Sequence, residues 1–155
     1  MPSATKHTSY SQESLLRTHG SPNELPEHLL LFDGVCNLCN GLVRFIIRHD
    51  RKELFRFAPL TSDIGKKIVA RSHEAASLDT LVYLRKDRLF TRSSAALYVA
   101  RDLGGIWAVA FIFMLVPSFI RDAVYDLVAR KRYGWWGRSE QCMVPMRELR
   151  SRFLE

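Results

Sequence analysis

The chain has few cysteines: only three occur in 155 residues, and two of them, Cys36 and Cys39, are separated by just two residues. Secreted disulfide scaffolds carry a larger, even and well-spread set of cysteines, so that class of protein is excluded. Residues 1–23 are mostly polar and lack the charged and then apolar pattern of a secretory signal peptide. Both absences fit a reducing compartment, and we therefore expect a cytoplasmic protein.

Long apolar runs are also missing, since the longest nearly continuous one covers 106–120 and is interrupted at Pro117 and Ser118. A helix needs about 20 apolar residues to cross a bilayer, and charged residues lie close to both ends of this segment. We therefore expect 106–120 to be buried against the sheet of the domain. Contact with a membrane surface or a membrane protein through this segment is the alternative.

The charge balance is only moderately one-sided. The 23 Lys and Arg against 16 Asp and Glu give a net charge of +7, which favours anionic partners without specifying one. The run Arg130-Lys131-Arg132 is typical of a solvated helix end, so we expect no nucleic-acid partner. With 47% hydrophobic and 25% charged residues, the composition is that of an ordinary globular protein.

The length supports one folded domain and is short for two. Residues 1–26 are rich in Ser, Thr, Pro and His without sustained periodicity, which predicts a flexible N-terminal leader. The single domain is then expected over 27–155, with a core over 27–104 and a helical appendage over 105–155.

Within the core, hydrophobic periodicity and turn residues predict alternating strands and helices. Strands are expected over 28–32, 53–58, 78–85 and 88–91, and helices over 37–49, from a cap at Thr61 to 71, and from a cap at Ser93 or Ser94 to 103. A right-handed parallel crossover followed by a hairpin and a helix completes a four-stranded sheet. The predicted fold class is α/β, a thioredoxin-like four-stranded mixed sheet with flanking helices plus a C-terminal helical appendage.

The pair Cys36 and Cys39 falls between the first strand and the first helix, where thiol chemistry is favoured. Cys36 is expected at the helix N-terminus, whose free N–H groups and dipole stabilise a thiolate, so it is the candidate nucleophile. Cys39 follows one helical turn later on the same face and is the candidate resolving thiol.

A zinc site is the alternative, because Cys-x-x-Cys also supplies two tetrahedral ligands. Only Cys142 remains as a third cysteine, with His49 or His73 as the fourth ligand, and no second Cys-x-x-Cys or His-x-x-x-His is present. We therefore expect neither a metal nor a cofactor. Cys142 is interpreted either as a third redox thiol or as a small buried hydrophobe.

The segment 31–40, Leu-Phe-Asp-Gly-Val-Cys-Asn-Leu-Cys-Asn, resembles the signature of the DCC family of predicted thiol-disulfide oxidoreductases, which is named for its Asp-x-x-Cys-x-x-Cys motif. The similarity continues through Val116-Pro117, 121–125, Arg132-Tyr133-Gly134 and Cys142, and so covers nearly everything after about Leu29. This resemblance implies a thioredoxin-like fold and a redox activity. It leaves the substrate open.

Asp33 precedes Cys36 by three residues and has two candidate roles. Its carboxylate could shuttle a proton to or from the resolving Cys39. Alternatively, it could accept hydrogen bonds from the backbone N–H groups of the Gly34-Val35 turn, as Asp before a turn commonly does.

Ordinary thioredoxins place a cis-proline opposite the active disulfide just before the third strand, whereas this sequence has no proline between Pro59 and Pro117. We expect a substrate to dock by backbone pairing beside Thr80. Without the proline to shield the thiols from metals, the zinc alternative stays open.

The N-terminus of the helix after the fourth strand is a second candidate substrate site. Arg92, Ser93 and Ser94 could hold a carboxylate of glutathione there, and helix capping by the serines is the alternative. The expected partners are a disulfide-containing protein or a glutathione-like substrate, together with a cellular thiol reductant that resets the pair.

Overall fold

The computed structural model describes residues 25–71, 81–140 and 147–154. The elements follow one another in the order β1 (His28–Phe32), α1 (Asn37–His49), β2 (Arg56–Pro59), α2 (Asp63–Val69), β3 (Val82–Arg85), β4 (Arg88–Thr91), α3 (Arg92–Leu103), a 3₁₀ helix (Gly105–Leu115), α4 (Ser118–Trp136) and a short 3₁₀ helix (Arg147–Arg152). The predicted leader lies outside the described residues, apart from residues 25 and 26.

The four strands form one mixed sheet in the order β2-β1-β3-β4. Strand β1 runs parallel to β2, with Leu30 opposite Phe57, and antiparallel to β3, with Leu30 opposite Tyr83. β3 and β4 form the expected antiparallel hairpin. The predicted α/β thioredoxin-like fold is confirmed, and the bounds of β1, α1 and β4 are as predicted.

Strand β2 starts later than predicted because the backbone N–H groups just before it donate to the carboxylate of Asp50 and not to a neighbouring strand. Asp50 accepts hydrogen bonds from the N–H groups of Leu54 at 3.2 Å and Phe55 at 3.0 Å, and it pairs with Arg152 from the C-terminal 3₁₀ helix. The predicted cap at Thr61 is wrong, since the Ser62 hydroxyl accepts the N–H of Gly65 at 3.0 Å and caps α2.

Apolar side chains alternate along the buried strands, so the sheet has a core on each face. Leu30 and Tyr83 lie on the face covered by α1 and α3, together with Val43. Leu29 and Val82 lie on the opposite face, which α2 covers. Helix α1 is therefore anchored behind the sheet, and its N-terminus is held at the end of β1.

The expectation that 106–120 would be buried is wrong. The 3₁₀ helix packs along α3, and Trp107 contacts the ring of Phe45 edge-on at 4.6 Å between centroids, yet none of its residues is buried. Several of its aliphatic side chains face solvent. Within the described part of the chain, no helix combines the length and apolar character needed to cross a membrane.

Helix α4 returns over the sheet toward the Cys-x-x-Cys segment. Near its middle, the hydroxyl of Tyr125 accepts the backbone N–H of Leu81 at 2.9 Å. At its end, Gly137 adopts a φ of 76°, a conformation that favours glycine, and the chain turns away from the helix axis. This packing brings residues from the C-terminal third of the chain to the N-terminus of α1.

Candidate active site

Cys36 and Cys39 lie at the N-terminus of α1, as the sequence predicted. Cys36 is the N-cap residue, and its Sγ accepts a hydrogen bond from the backbone N–H of Cys39 at 3.5 Å. Both cysteines are free thiols. Cys36 is fully buried, whereas Cys39 is half-buried. The N-terminus of α1 thus directs a backbone N–H group and the positive end of the helix dipole at the Cys36 sulfur.

The turn before the helix is held by side chains on both sides of it. Asp33 Oδ1 accepts the backbone N–H of Val35 at 3.1 Å, which is the turn-stabilising role considered for it. Asn40, itself buried, donates from Nδ2 to the carbonyl of Gly34 at 3.0 Å. Residues 33–39, which we call the thiol loop, are therefore held by a side chain at their start and by another in the first turn of α1.

A buried guanidinium from α4 reaches this loop. Arg132 is only 3% exposed, and its Nη1 lies 3.8 Å from Cys39 Sγ while its Nη2 lies 3.3 Å from Asp33 Oδ2. The Tyr133 hydroxyl accepts from Arg132 Nη2 at 2.9 Å and donates to Asp33 Oδ2. The interpretation of the run 130–132 as solvated is wrong for Arg132, although Arg130 and Lys131 are exposed.

The surroundings of Cys39 disfavour its ionisation. Burial raises the pKa of Cys39 to about 12, and the hydrogen bond and charge of Cys36 and the charge of Asp33 act in the same direction. The guanidinium of Arg132 opposes this shift. Burial, followed by the hydrogen bond to Asp33, also raises the pKa of Tyr133. At neutral pH, Cys39 is thus a thiol and Tyr133 a protonated donor.

Residues 137–139, the covering segment, lie across the thiol loop. The carbonyl of Trp136, just before the segment, accepts a hydrogen bond from Asn37 Nδ2 at 2.9 Å. Arg138 forms an isolated antiparallel bridge with Cys36, and the N–H of Ser139 donates to the carbonyl of Val35 at 2.8 Å. The covering segment therefore contributes to the burial of Cys36.

The second predicted substrate site faces α4. Ser93 Oγ donates to Asp122, and Arg121 Nη1 lies 3.5 Å from the hydroxyls of both Ser93 and Ser94. The predicted capping by these serines is wrong, because the N-cap of α3 is Thr91 and no side chain caps it.

Arg92 pairs with Asp126 at 3.8 Å. The binding role predicted for Arg92, Ser93 and Ser94 stays a prediction. Thr80, the residue expected to pair with a substrate backbone, lies outside the described residues.

The zinc alternative requires further ligands close to Cys36 and Cys39. Among residues 25–71, 81–140 and 147–154, no three His, Cys, Asp or Glu side chains cluster in a way that could hold a metal ion. His49, one candidate ligand, directs Nδ1 to the carbonyl of Phe45 at 2.8 Å. Cys142 and His73 lie outside the described residues.

Sequence reasoning missed Arg132 and Tyr133 as site residues. Their only signal was their place in the segment Arg132-Tyr133-Gly134, which is part of the resemblance described above. The structure joins this segment to Asp33 and Cys39 in one network. Two distant parts of the resemblance thus lie side by side in the fold.

Comparisons with known proteins show which family the chain is similar to. A sequence model of the family described as DCC1-like thiol-disulfide oxidoreductase matches residues 30–138, a span that contains the thiol loop and α4. The uncharacterized protein YuxK of Bacillus subtilis (strain 168) is 40% identical over 132 residues, which cover 84% of this chain and 96% of that protein.

A chloroplastic DCC family protein of Arabidopsis thaliana is 40% identical over 116 residues, covering 74% of this chain and 67% of that protein. No solved structure matches the chain significantly.

Proposed function

Because this chain belongs to the DCC1-like thiol-disulfide oxidoreductase family, we propose that it exchanges a Cys36–Cys39 dithiol with disulfides of proteins or of small thiols such as glutathione. The observation that carries the proposal is that both thiols lie at the N-terminus of α1, beside the buried guanidinium of Arg132. A cellular thiol reductant resets the oxidised pair.

In the first step, the thiolate of Cys36 attacks one sulfur of the substrate disulfide. The substrate S–S bond breaks, a mixed disulfide with Cys36 forms, and the other substrate sulfur leaves as a thiolate that takes up a proton. Since Cys36 is fully buried, the covering segment has to move aside for the substrate to approach.

In the second step, Cys39 loses its proton and attacks Sγ of Cys36. The second substrate thiol is released and the Cys36–Cys39 disulfide remains, so two electrons pass to the substrate. Burial, the largest cause of the raised pKa of Cys39, makes deprotonation the demanding part of this step. Arg132, 3.8 Å from the sulfur, stabilises the thiolate as it forms.

We assign the proton transfer to Asp33, whose charge acts on the Cys39 sulfur. Protonation of this carboxylate would remove the like charge that opposes the Cys39 thiolate, so proton transfer relieves the repulsion as the thiolate forms. Asp33 Oδ2 and Cys39 Sγ both contact the guanidinium of Arg132, which joins the two groups.

Reduction of insulin disulfides or of oxidised glutathione tests the assignment, with wild type compared to Cys36→Ser and Cys39→Ser. Both variants are expected to lose turnover. Only Cys39→Ser should accumulate a mixed disulfide with the substrate, detected by mass, because it keeps the attacking thiol. Full activity of Cys36→Ser would overturn the proposal. A mixed disulfide trapped on Cys39 in Cys36→Ser, with none on Cys36 in Cys39→Ser, would reverse the two roles.

A further inference from the structure

The 3₁₀ helix presents one apolar face to solvent. Ile106, Val109, Ile112 and Leu115 follow one another at intervals of three residues, and a 3₁₀ helix has three residues per turn, so these side chains share a face. Their exposed fractions lie between 61% and 85%. Large aliphatic side chains exposed in a row are uncommon on soluble surfaces unless another surface covers them.

Helix α4 continues this pattern after Pro117. Phe119, Ile120, Val124 and Leu127 lie on one side of the helix and are between 45% and 73% exposed. We call these four residues, together with the four of the 3₁₀ helix, the apolar face. The opposite side of α4 carries the inward-facing Arg132, so the helix turns its apolar stripe outward.

Positive charge and tryptophan accompany the apolar face. Over residues 101–140, which the structure describes completely, the exposed cations are Arg101, Arg130, Lys131 and Arg138. Glu140 is an exposed acid, and the Asp126 side chain, which pairs with Arg92, is 37% exposed. Trp135 and Trp136 are also exposed, and Lys131 Nζ lies 5.3 Å from the ring centroid of Trp135. Aliphatic, tryptophan and cationic side chains together are the composition of surfaces that bind the interface of anionic membranes.

We propose that the apolar face lies on the surface of an anionic lipid bilayer, with α4 parallel to the membrane plane. The charge asymmetry favours phosphate headgroups, and the described helices do not meet the requirement for spanning. A second copy of the chain is disfavoured as the occupant, because a symmetric contact would bring two surfaces with the same excess of cations together.

The apolar face is connected to the thiol site. Helix α4 ends at Trp136, whose carbonyl is hydrogen bonded to Asn37 between the two cysteines. A bilayer bound to α4 therefore lies close to the thiol loop. If the proposed function holds, the preferred substrates are disulfides at the membrane surface. Lipid binding itself does not depend on the thiol chemistry.

Co-sedimentation of the full chain with vesicles tests the proposal. We expect binding to phosphatidylcholine vesicles that contain about a third phosphatidylglycerol, and much weaker binding to phosphatidylcholine alone or at high salt. The double variant Ile112→Ser/Leu115→Ser should bind the anionic vesicles at least about tenfold more weakly. The matched control is Leu54→Ser, which replaces an exposed leucine outside the apolar face and should bind as wild type does.

The charge component is tested by Arg130→Glu/Lys131→Glu, which should lose binding to anionic vesicles. Because these substitutions and those at Ile112 and Leu115 fall on exposed positions, folding is expected to persist, and disulfide reduction in solution should stay at the wild-type rate. Equal binding to neutral and anionic vesicles, or no binding to either, would overturn the proposal. A concentration-dependent dimer that the Ile112→Ser/Leu115→Ser variant abolishes would assign the face to a second copy instead.

Discussion

The guanidinium of Arg132 donates to the sulfur of Cys39 at 3.8 Å, across 93 residues of sequence. A cation at this distance lowers the cost of ionising a thiol that burial otherwise keeps protonated. The same guanidinium forms an ion pair with Asp33 at 3.3 Å, so its position is fixed from the thiol loop. This contact links the Asp-x-x-Cys-x-x-Cys motif to α4.

Replacing Arg132 by Met should destabilise the fold and slow the release of substrate from the mixed disulfide. The half-buried Asp33 carboxylate loses its ion pair but keeps its hydrogen bonds from Val35 and Tyr133, so we expect a cost of about 1–3 kcal/mol. Denaturant unfolding measures the first effect, and the lifetime of the mixed disulfide measures the second. The exposed neighbour Arg130→Met is the control and should change stability by less than about 0.5 kcal/mol.

The variant Arg132→Lys separates charge from structure. It keeps a cation near Cys39 but loses the forked donors that reach Asp33 and Cys39 together. The mixed disulfide should therefore resolve faster in Arg132→Lys than in Arg132→Met. Equal lifetimes in both variants and in wild type would show that the cation has no role in resolution.

Stability should fall at alkaline pH because of Cys39. Its pKa rises from 9.0, taken as the unfolded value, to about 12 in the folded state, so the unfolded chain releases this proton first. The stabilising contribution is fully present below pH 9.0 and is lost as the pH rises toward about 12. The slope reaches about 1.4 kcal/mol per pH unit.

Subtracting the unfolding free energy of Cys39→Ala at each pH isolates this contribution from other titrating groups. The difference between wild type and variant should shrink as the pH rises above 9.0. A difference that stays constant over the same range would contradict the assignment of a raised pKa to Cys39.

Opening the covering segment should expose Cys36. Ser139→Pro removes the N–H that donates to Val35 at 2.8 Å, a hydrogen bond whose net contribution is about 0.5–1.5 kcal/mol. Alkylation of Cys36 by iodoacetamide, followed by mass mapping, should become about 2- to 10-fold faster. Ser139→Ala keeps the backbone N–H and should be accelerated less than Ser139→Pro, so an equal acceleration in both variants would disprove the role of this hydrogen bond.

Gly65 is predicted to be intolerant of any side chain. A Cβ atom at this position would lie 2.5 Å from the carbonyl oxygen of Pro59 and 2.7 Å from that of Leu60, and backbone atoms cannot move aside cheaply. Gly65→Ala should therefore lower the thermal midpoint. In Gly41→Ala the new Cβ meets nothing within 4 Å, and this exposed change in α1 should stabilise the fold by about 0.5–1 kcal/mol.

The parts of the fold that the sequence predicted are those whose signals are local. The apolar run of β1 and the helical spacing of α1 reproduce the observed bounds of both elements. The bounds of β2 and the cap of α2 were predicted less well, because side chains such as Asp50 and Ser62 bind backbone groups that a periodicity argument treats as free.

Helix α4 shows why the rest could not be predicted. Pattern reasoning assumes that apolar stripes turn inward and cationic runs outward. Here the helix is oriented by polar partners on the sheet side, since Tyr125 bonds the backbone of Leu81 and Arg132 pairs with Asp33. Its apolar stripe therefore faces solvent, and Arg132 is buried.

The sequence alone determined the strand and helix around Cys36 and Cys39, because these elements and the placement of the thiols depend on residues within a turn or two of each other. Only the tertiary structure decided which distant groups surround the thiols. Arg132 and the covering segment reach them through the packing of α4, and the energy of a buried ion pair depends on spatial neighbours rather than on sequence spacing.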